Sequence, residues 1–216
     1  MSLTGWGSAP AGPPDATVAG TDADLAAAVR AHPRARFAFE PAPGSDLARA
    51  LGMRPHHRDA RVELPLDALE GSGDRSFLAV NAVVLGTPPG RLRRWSRARR
   101  CTVRVDDRPR WSGPATTVVV AVGQFVAGAD LVPRGHPADG RAELQVYAVG
   151  RGERAQLRRR LATGMHLPHP GIAVAAGRTF DVHWSEPVPI VVDGVPTGTA
   201  GRLRIAVLAG AYSLVV

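Results

Sequence analysis

The sequence predicts an α/β stub followed by a mainly antiparallel β-sandwich domain. Short strand-like and helical runs alternate in residues 15–55, whereas residues 56–216 hold a series of short runs rich in Val, Ile and aromatic residues, separated by Gly, Pro or Asp. Only one helical run, Gly152–Thr163, interrupts this second series. Short strands at such spacing are typical of a sandwich or barrel. The Gly-, Pro- and Ser-rich residues 1–14 are predicted to be a flexible leading segment.

The α/β segment carries two helix-start signals. Thr21 is a candidate N-cap, and Asp24 follows three residues later, which is the spacing of a capping box. Ser45 is a candidate cap for a second helix that stops at Gly52. Two strand–loop–helix units predict parallel pairing but are too few for an independent domain. The predicted strands are Ala16–Ala19 and Arg36–Phe39, and the predicted helices are Leu25–Val29 and Ser45–Leu51.

The second part is predicted to consist almost entirely of strands. Its one helix places Leu157 and Leu161 on the same face and ends at Gly164. The predicted strands are Arg61–Pro65, Phe77–Leu85, Cys101–Val105, Thr116–Val122, Ala142–Val149, Ile172–Ala175, Thr179–Trp184, Val188–Val192, Leu203–Leu208 and Tyr212–Val216.

Composition excludes several classes of site and of protein. The chain has 216 residues, a net charge of +8 and 27 basic residues, all of them arginine. Because lysine is absent, Schiff-base chemistry and a lysine-dependent P-loop are excluded. The single cysteine, Cys101, excludes an internal disulfide and a cysteine-based zinc site. The sequence has neither a signal-peptide pattern nor a long apolar run, so we expect a cytoplasmic protein, peripheral at the membrane at most.

The densest run of charge lies between residues 91 and 100. It is consistent with a solvated loop, or with a peripheral contact to an anionic membrane in which Leu92 and Trp95 enter the interface. We do not expect a nucleic-acid partner, because no nucleic-acid-binding motif accompanies the charges and aromatic residues are few. The candidate membrane or anion-binding residues are Arg91, Arg93, Arg94, Trp95, Arg97, Arg99 and Arg100.

Three ordered blocks in the second part resemble the diacylglycerol kinase-like lipid kinases, a family that includes sphingosine kinases and bacterial lipid kinases. They are Val122–Pro133 with the following Ala138-Asp139-Gly140, then Gly164–Gly171, and Val191–Pro196. Upstream, Gly20–Leu25 resembles the family's GGDGTL loop, and Gly44–Gly52 resembles its GTGNDFARALG segment. The resemblance implies a nucleotide-binding α/β domain and a β-sandwich flanking a cleft, and phosphorylation of a lipid hydroxyl with ATP and magnesium.

The nucleotide-binding residues that the resemblance implies are incomplete. Glycines allow the N–H groups of such a loop to surround phosphate, but Thr21, Ala23 and Asp24 stand at positions of the loop that lack these side chains in the family. Asp22 and Asp46 either orient a magnesium–nucleotide complex or favour the N-terminal ends of helices. The positions carried over to a degenerate nucleotide site are Gly20, Asp22, Gly44, Ser45 and Asp46.

The catalytic and metal positions also depart from the family. Val195 occupies the place of the glutamate that the resemblance implies as general base, so the neighbouring Asp193 and Gly194 predict only a tight hairpin. The resemblance implies a structural magnesium site at Asp139, with the carbonyls of His136 and Arg141, and a turn without metal is the equal alternative. We find no histidine spacing that predicts zinc.

These departures predict a degenerate lipid-kinase-like protein that lacks ATP-dependent phosphorylation and retains binding to a lipid or an anionic surface. Two alternatives remain open. One is an active lipid kinase, with ATP and magnesium, that is completed by a partner or a homodimer. The other is a regulatory or scaffold subunit of an intact kinase.

Overall fold

The computed structural model describes residues 7–53 and 62–216. The start of the predicted leading segment lies outside these residues. So do the predicted boundary at residues 55 and 56 and the first residue of the predicted strand Arg61–Pro65.

The α/β segment forms as two strand–helix units. Strand β1 covers Ala16–Gly20, helix α1 Asp22–Ala31, strand β2 Arg36–Pro41 and helix α2 Asp46–Ala50. Strands β1 and β2 pair in parallel, which confirms the predicted pairing. The apolar faces of both helices pack against buried side chains of β2 and of the sandwich, so the segment folds against the larger part.

Among the described residues, the remaining elements are strands apart from one helix and one short 3-10 turn at Pro89–Arg91. The strands are β3 (Glu63–Gly73), β4 (Phe77–Ala79), β5 (Ala82–Gly86), β6 (Arg99–Val105), β7 (Arg108–Ala115), β8 (Thr117–Ala121), β9 (Phe125–Val126), β10 (Ala129–Asp130), β11 (Ala142–Tyr147), β12 (Ile172–Gly177), β13 (Thr179–Val192) and β14 (Val195–Val215). The helix, α3, covers Arg154–Leu161.

Two long strands organise the sheet. Its order is β1-β2-β14-β13-β5-β8-β11-β12, with β3 also paired to β14 and β6 to β13. The register of β13 against β14 shifts between His183 and Val188, and β13 pairs with β6 before this irregularity and with β5 after it. Because β13 changes neighbour, the sheet folds over its own core. Strand β2 pairs in parallel with β14, so the α/β segment extends the same sheet.

The main core lies between the inward faces of these strands. Val103, Val120, Phe180 and Ile205 are among its buried members, together with Trp184. In β6 and β13 the buried residues alternate with exposed neighbours, which is the period-2 pattern of a strand with one face in the core. The predicted fold class, an α/β stub joined to a mainly antiparallel sandwich, is confirmed.

Several predicted strands have different limits in the structure, among them Thr179–Trp184 and Val188–Val192, which form the single strand β13. The predicted strand Phe77–Leu85 is two strands, because the backbone N–H groups of Val80 and Asn81 donate to the Asp193 carboxylate instead of to a neighbouring strand. The predicted pair at the C-terminal end is one strand, β14, with a shifted register between Leu208 and Tyr212. Strand β7 was not predicted, since its arginines, prolines and glycine give no apolar alternation.

None of the helices in the described part of the chain could span a bilayer.

Candidate functional site

The loop between β1 and α1 closes on itself through a capping box. The Thr21 N–H donates to Asp24 Oδ2 at 2.7 Å, and the Asp24 N–H donates to Thr21 Oγ1 at 3.3 Å. The Thr21 N–H, and next the Thr21 hydroxyl that donates to the same oxygen at 2.7 Å, lower the pKa of the Asp24 carboxyl. A Cβ atom added at Gly20 would lie 2.4 Å from Asp24 Oδ2, so the charged carboxylate lies directly against this glycine. Two N–H groups of the loop are therefore already bonded within it.

Asp22 points away from this loop and caps helix α2. It is 5% exposed and accepts hydrogen bonds from the Ser45 hydroxyl, from the Asp46 N–H at 3.0 Å and from the Leu47 N–H at 3.1 Å. Burial raises the pKa of Asp22, and the nearby charge of Asp46 acts in the same direction. The structure thus brings together Asp22, Ser45 and Asp46. The side chains of Asp22 and Ser45 cap the N-terminal end of α2.

Asp46 ties helix α2 to the sandwich. Its Oδ1 accepts the Gly128 N–H at 2.9 Å, and Arg49 donates to the Gly128 carbonyl at 2.8 Å. Gly44 adopts a φ of +93° before the helix, a conformation that favours glycine. These bonds of Asp46 and Arg49 therefore fix the position of α2 against the β9–β10 hairpin.

Asp193 and Gly194 form the predicted tight hairpin between β13 and β14, with φ values of 45° and 82°. The Asp193 carboxylate turns inward and accepts the N–H groups of three consecutive residues, Val80, Asn81 and Ala82, at 2.8 to 3.0 Å. Burial, together with the charge of Asp22, outweighs these bonds and raises the pKa of Asp193 to about 7.

The position at which the sequence resemblance implies a general base, Val195, follows this hairpin directly. Val195 is 46% exposed and its apolar side chain cannot accept a proton. The carboxylate nearest to it in sequence, Asp193, is fully engaged with the backbone of residues 80–82.

An apolar pocket, here called the cleft pocket, lies between helix α2, the hairpin and the interior of the sandwich. Its volume is about 500 Å³. Asp46, Asn81 and Asp193 form its polar end. The other lining residues are Ala82, Val84, Pro88, Pro89, Gly90, Arg91, Val126, Ala127, Ala129, Leu131, Leu161, Val191, Gly194 and Pro196.

Asn81 holds an unused acceptor at this polar end. Its Nδ2 donates to the Phe125 carbonyl at 2.9 Å, whereas its buried Oδ1 has no hydrogen-bond partner among the described residues. A Cβ atom at Gly123 would lie 2.1 Å from this Oδ1, so only glycine leaves room for the amide. An unsatisfied buried acceptor is costly unless a donor reaches it.

The candidate cation residues lie at a tight turn. Asp139 Oδ1 accepts the Arg141 N–H at 2.9 Å, which is the geometry of such a turn. The buried Asp67 fixes the same loop by accepting the Gly140 N–H at 2.7 Å. His136 Nδ1 accepts the Ala138 N–H. Within residues 7–53 and 62–216, no three His, Cys, Asp or Glu side chains are grouped to hold a metal.

The arginine run is divided between several environments. Arg91 lines the cleft pocket, and Arg97 and Arg99 pair with Glu186 at 3.5 and 3.1 Å. Arg99 and Arg100 begin strand β6. The prediction that Leu92 enters a membrane is wrong, because this side chain is fully buried in the core beside α3. Arg93, Arg94 and Trp95 remain exposed.

Sequence reasoning missed Asn81, Asp67 and the buried Arg154. The first two had a signal, since each is the lone polar residue in an otherwise apolar strand run, and polar residues are rarely buried without a role. Arg154 had none, because it lies in a helix with several other arginines.

Comparison with known proteins defines the family. Residues 88–216, more than half of the chain, match the model of the YegS C-terminal NAD kinase beta sandwich-like domain. The chain belongs to this family. Among curated protein sequences, none matches the chain.

Solved structures show the same fold over nearly the whole chain. The crystal structure of a diacylglycerol kinase from Bacillus anthracis str. Sterne superposes with a TM-score of 0.74 at 16% identity and covers 93% of this chain and 76% of that one. A further structure from the same strain gives 0.75 at 15% identity, over 93% and 78%. Yeast NADH kinase complexed with NADH gives 0.53 at 13% identity, over 94% and 61%. The resemblance predicted from the sequence blocks is confirmed at the level of the fold.

Proposed function

We propose that this chain binds a lipid alcohol in the cleft pocket and does not transfer phosphate from ATP. The observation that carries the second half of the proposal is the position of Asp24, whose carboxylate lies against Gly20 and accepts the Thr21 N–H.

A phosphate group would meet both a steric and an electrostatic obstacle at this loop. The N–H groups of Thr21 and Asp24 already have acceptors, so binding phosphate would first require breaking the capping box. The Asp24 carboxylate would then lie beside a polyanion. Because like charges repel, this carboxylate would oppose binding of the phosphates. The residues present do not fit a magnesium–nucleotide complex.

The chemistry at the acceptor end supports the same proposal. Phosphorylation of a hydroxyl requires a base within hydrogen-bond reach, and a missing general base typically lowers the rate about 10²- to 10⁴-fold. Val195 cannot serve as one, and the Asp193 carboxylate already accepts three backbone N–H groups.

The cleft pocket supports the lipid half of the proposal. Its walls are largely apolar, and its volume of about 500 Å³ lies within the usual range for small-molecule sites. The unpartnered Asn81 Oδ1 offers an acceptor for a hydroxyl at the polar end. An aliphatic chain against the apolar walls and a hydroxyl at Asn81 would match both features of the pocket.

Thermal melting with millimolar Mg-ATP tests the nucleotide half. A ligand raises the melting temperature only if it binds the folded chain, so we expect no shift for the native chain. A clear shift, or phosphorylation of dioctanoylglycerol, would contradict the proposal. The variant T21G/A23G/D24T removes the capping box and opens the loop, and any ATP-induced shift that then appears would identify the closed loop as the cause.

Binding of a fluorescent diacylglycerol in detergent micelles tests the lipid half. Gly90 borders the cleft pocket and faces open space, so G90W should fill the entrance without a clash and abolish binding. Gly152 is equally open but lies outside this pocket, so G152W should bind as the native chain does. Equal binding by all three proteins would place the lipid elsewhere.

A further inference from the structure

A second cavity, here called the arginine groove, lies on the outer side of α3. Its volume is about 730 Å³. The residues that line it are Arg93, Arg94, Trp95, Arg151, Gly152, Ala155 and Arg158. Four of the seven are arginines and none is acidic, and none of the four forms an ion pair with a carboxylate in the described part of the chain. Such a concentration of one charge favours an anionic partner.

A buried arginine builds the groove. Arg154 is 4% exposed, and its guanidinium donates to the carbonyls of Val149, Arg93, Arg94 and Ser96 at 2.7 to 3.3 Å. Because these carbonyls face inward, the loop holds the side chains of residues 93–95 toward solvent. Arg158 also donates to the Leu92 carbonyl, while the buried Leu92 side chain anchors the start of the loop.

Trp95 distinguishes this groove from a simple basic patch. Its side chain is 81% exposed, next to Arg93 and Arg94. A tryptophan that stays exposed beside arginines is suited to a bilayer interface, where the indole enters the headgroup region and the guanidinium groups meet lipid phosphates. A nucleic-acid surface would instead use several aromatic side chains as a stacking platform.

We propose that the arginine groove docks the protein on a bilayer that contains anionic phospholipids, with a headgroup phosphate between Arg93, Arg94, Arg151 and Arg158 and with Trp95 in the interface. This inference does not rest on the proposed function, because the groove and the cleft pocket share no lining residue. The two cavities lie on either side of the same loop, whose residues 88–91 line the pocket and 93–95 the groove.

Co-sedimentation with vesicles tests the proposal on the full chain. We expect binding to vesicles of 30% phosphatidylglycerol in phosphatidylcholine, and none to pure phosphatidylcholine. Each arginine near such a surface changes partitioning about fivefold, so R93A/R94A should weaken binding about 25-fold. The matched control R108A/R110A removes the same charge from exposed positions on β7 and should bind within about twofold of the native chain if the groove is the site.

Two further variants, W95A and G152W, test the tryptophan and the open space of the groove separately. W95A should lose most of the binding that remains at 0.5 M NaCl, since salt screens the arginines but leaves indole burial intact. G152W should obstruct the groove and weaken vesicle binding, whereas G90W should not.

Several outcomes would overturn the proposal. These are equal loss of binding by R93A/R94A and R108A/R110A, full binding by R93A/R94A, or vesicle binding abolished by millimolar inorganic phosphate at constant ionic strength. Preferential binding of a single-stranded oligonucleotide through Arg93 and Arg94, without vesicle binding, would instead assign the groove to nucleic acid.

Discussion

The β1–α1 loop and the arginine groove are both places where hydrogen-bond donors gather, and they use those donors in opposite ways. In the loop, the N–H groups of Thr21 and Asp24 bond within the capping box, and a carboxylate occupies the space against Gly20. In the groove, Arg154 satisfies the carbonyls of the surrounding loop, and Arg93, Arg94 and Arg151 extend into solvent.

On our two proposals, the number of donors does not decide whether an anion binds. What matters is whether those donors already have an acceptor in the folded chain, and whether a negative charge lies among them. By this criterion the donors of the β1–α1 loop contribute to stability, whereas those of Arg93, Arg94 and Arg151 remain available for contact. Mutation of a buried acceptor of backbone N–H groups, such as Asp193 or Asp22, should therefore lower stability, whereas mutation of the exposed groove arginines should not.

The largest effect is expected at Asp193. D193A leaves three buried N–H groups without an acceptor, so we expect the free energy of unfolding to fall by about 3 kcal/mol or more. Urea denaturation measures this loss. The control D74A also removes two backbone hydrogen bonds, but at an exposed position where water replaces the carboxylate, so it should cost much less. Equal losses would mean that burial at Asp193 is unimportant.

A smaller loss is expected at Asp22. D22A removes the acceptor for the Ser45 hydroxyl and for the first N–H groups of α2, and we expect a loss of about 2 kcal/mol by urea denaturation. D139A, at an exposed turn with one backbone bond, is the matched control and should lose less than about 1 kcal/mol. If D22A were as stable as the native chain, the cap would not hold α2.

The pH dependence of stability tests whether the Asp193 carboxyl is buried as the structure shows. The pKa of Asp193 rises from 3.8 to about 7 on folding, so between these values the folded chain keeps a proton that the unfolded chain has released. The contribution of Asp193 to stability is therefore greatest below about pH 4, falls as the pH rises to about 7 and stays constant above. Urea melts at pH 5 and pH 8 should show a smaller difference for D193N than for the native chain. An identical difference would contradict the raised pKa.

The smallest effect is expected in the groove. R93A/R94A removes two exposed side chains that do not contribute to the core, so its melting temperature should stay within about 2 °C of the native value. A fall of more than about 5 °C would mean that these arginines hold the fold, and that their loss of vesicle binding could not be interpreted as loss of a contact.

The local signals of the sequence were sufficient where one short segment determined the structure. The capping box of Thr21 and Asp24, the Ser45 cap and the Asp193-Gly194 hairpin all form as predicted, because each depends on residues within a few positions of one another. Many of the core strands were predicted as well, because their Val, Ile and aromatic content and the Gly, Pro or Asp between them are also local signals. The limits of β4, β5 and β7 were not, because pairing with a distant carboxylate or an adjacent strand overrides local propensity there.

The candidate site was predicted only in part. Sequence blocks identified Asp22, Asp46 and Asp193, but not that Asp22 and Asp193 would turn inward to backbone N–H groups, or that Asn81 would meet Asp46 and Asp193 in one pocket. Likewise, the run from Arg91 to Arg100 was visible as charge. Its division into a buried anchor at Leu92, ion pairs to Glu186 and an open groove was not.

By itself, the sequence determined that the β1–α1 loop closes, because a threonine and an aspartate three residues apart form a capping box at the start of a helix. It also determined that a valine, and not a carboxylate, follows Gly194. Only the tertiary structure decided which charges remain available to a partner. Three of the four carbonyls that Arg154 contacts lie some sixty positions earlier in the chain, and only folding brings them to α3, where arginines 93, 94 and 151 remain exposed around one cavity.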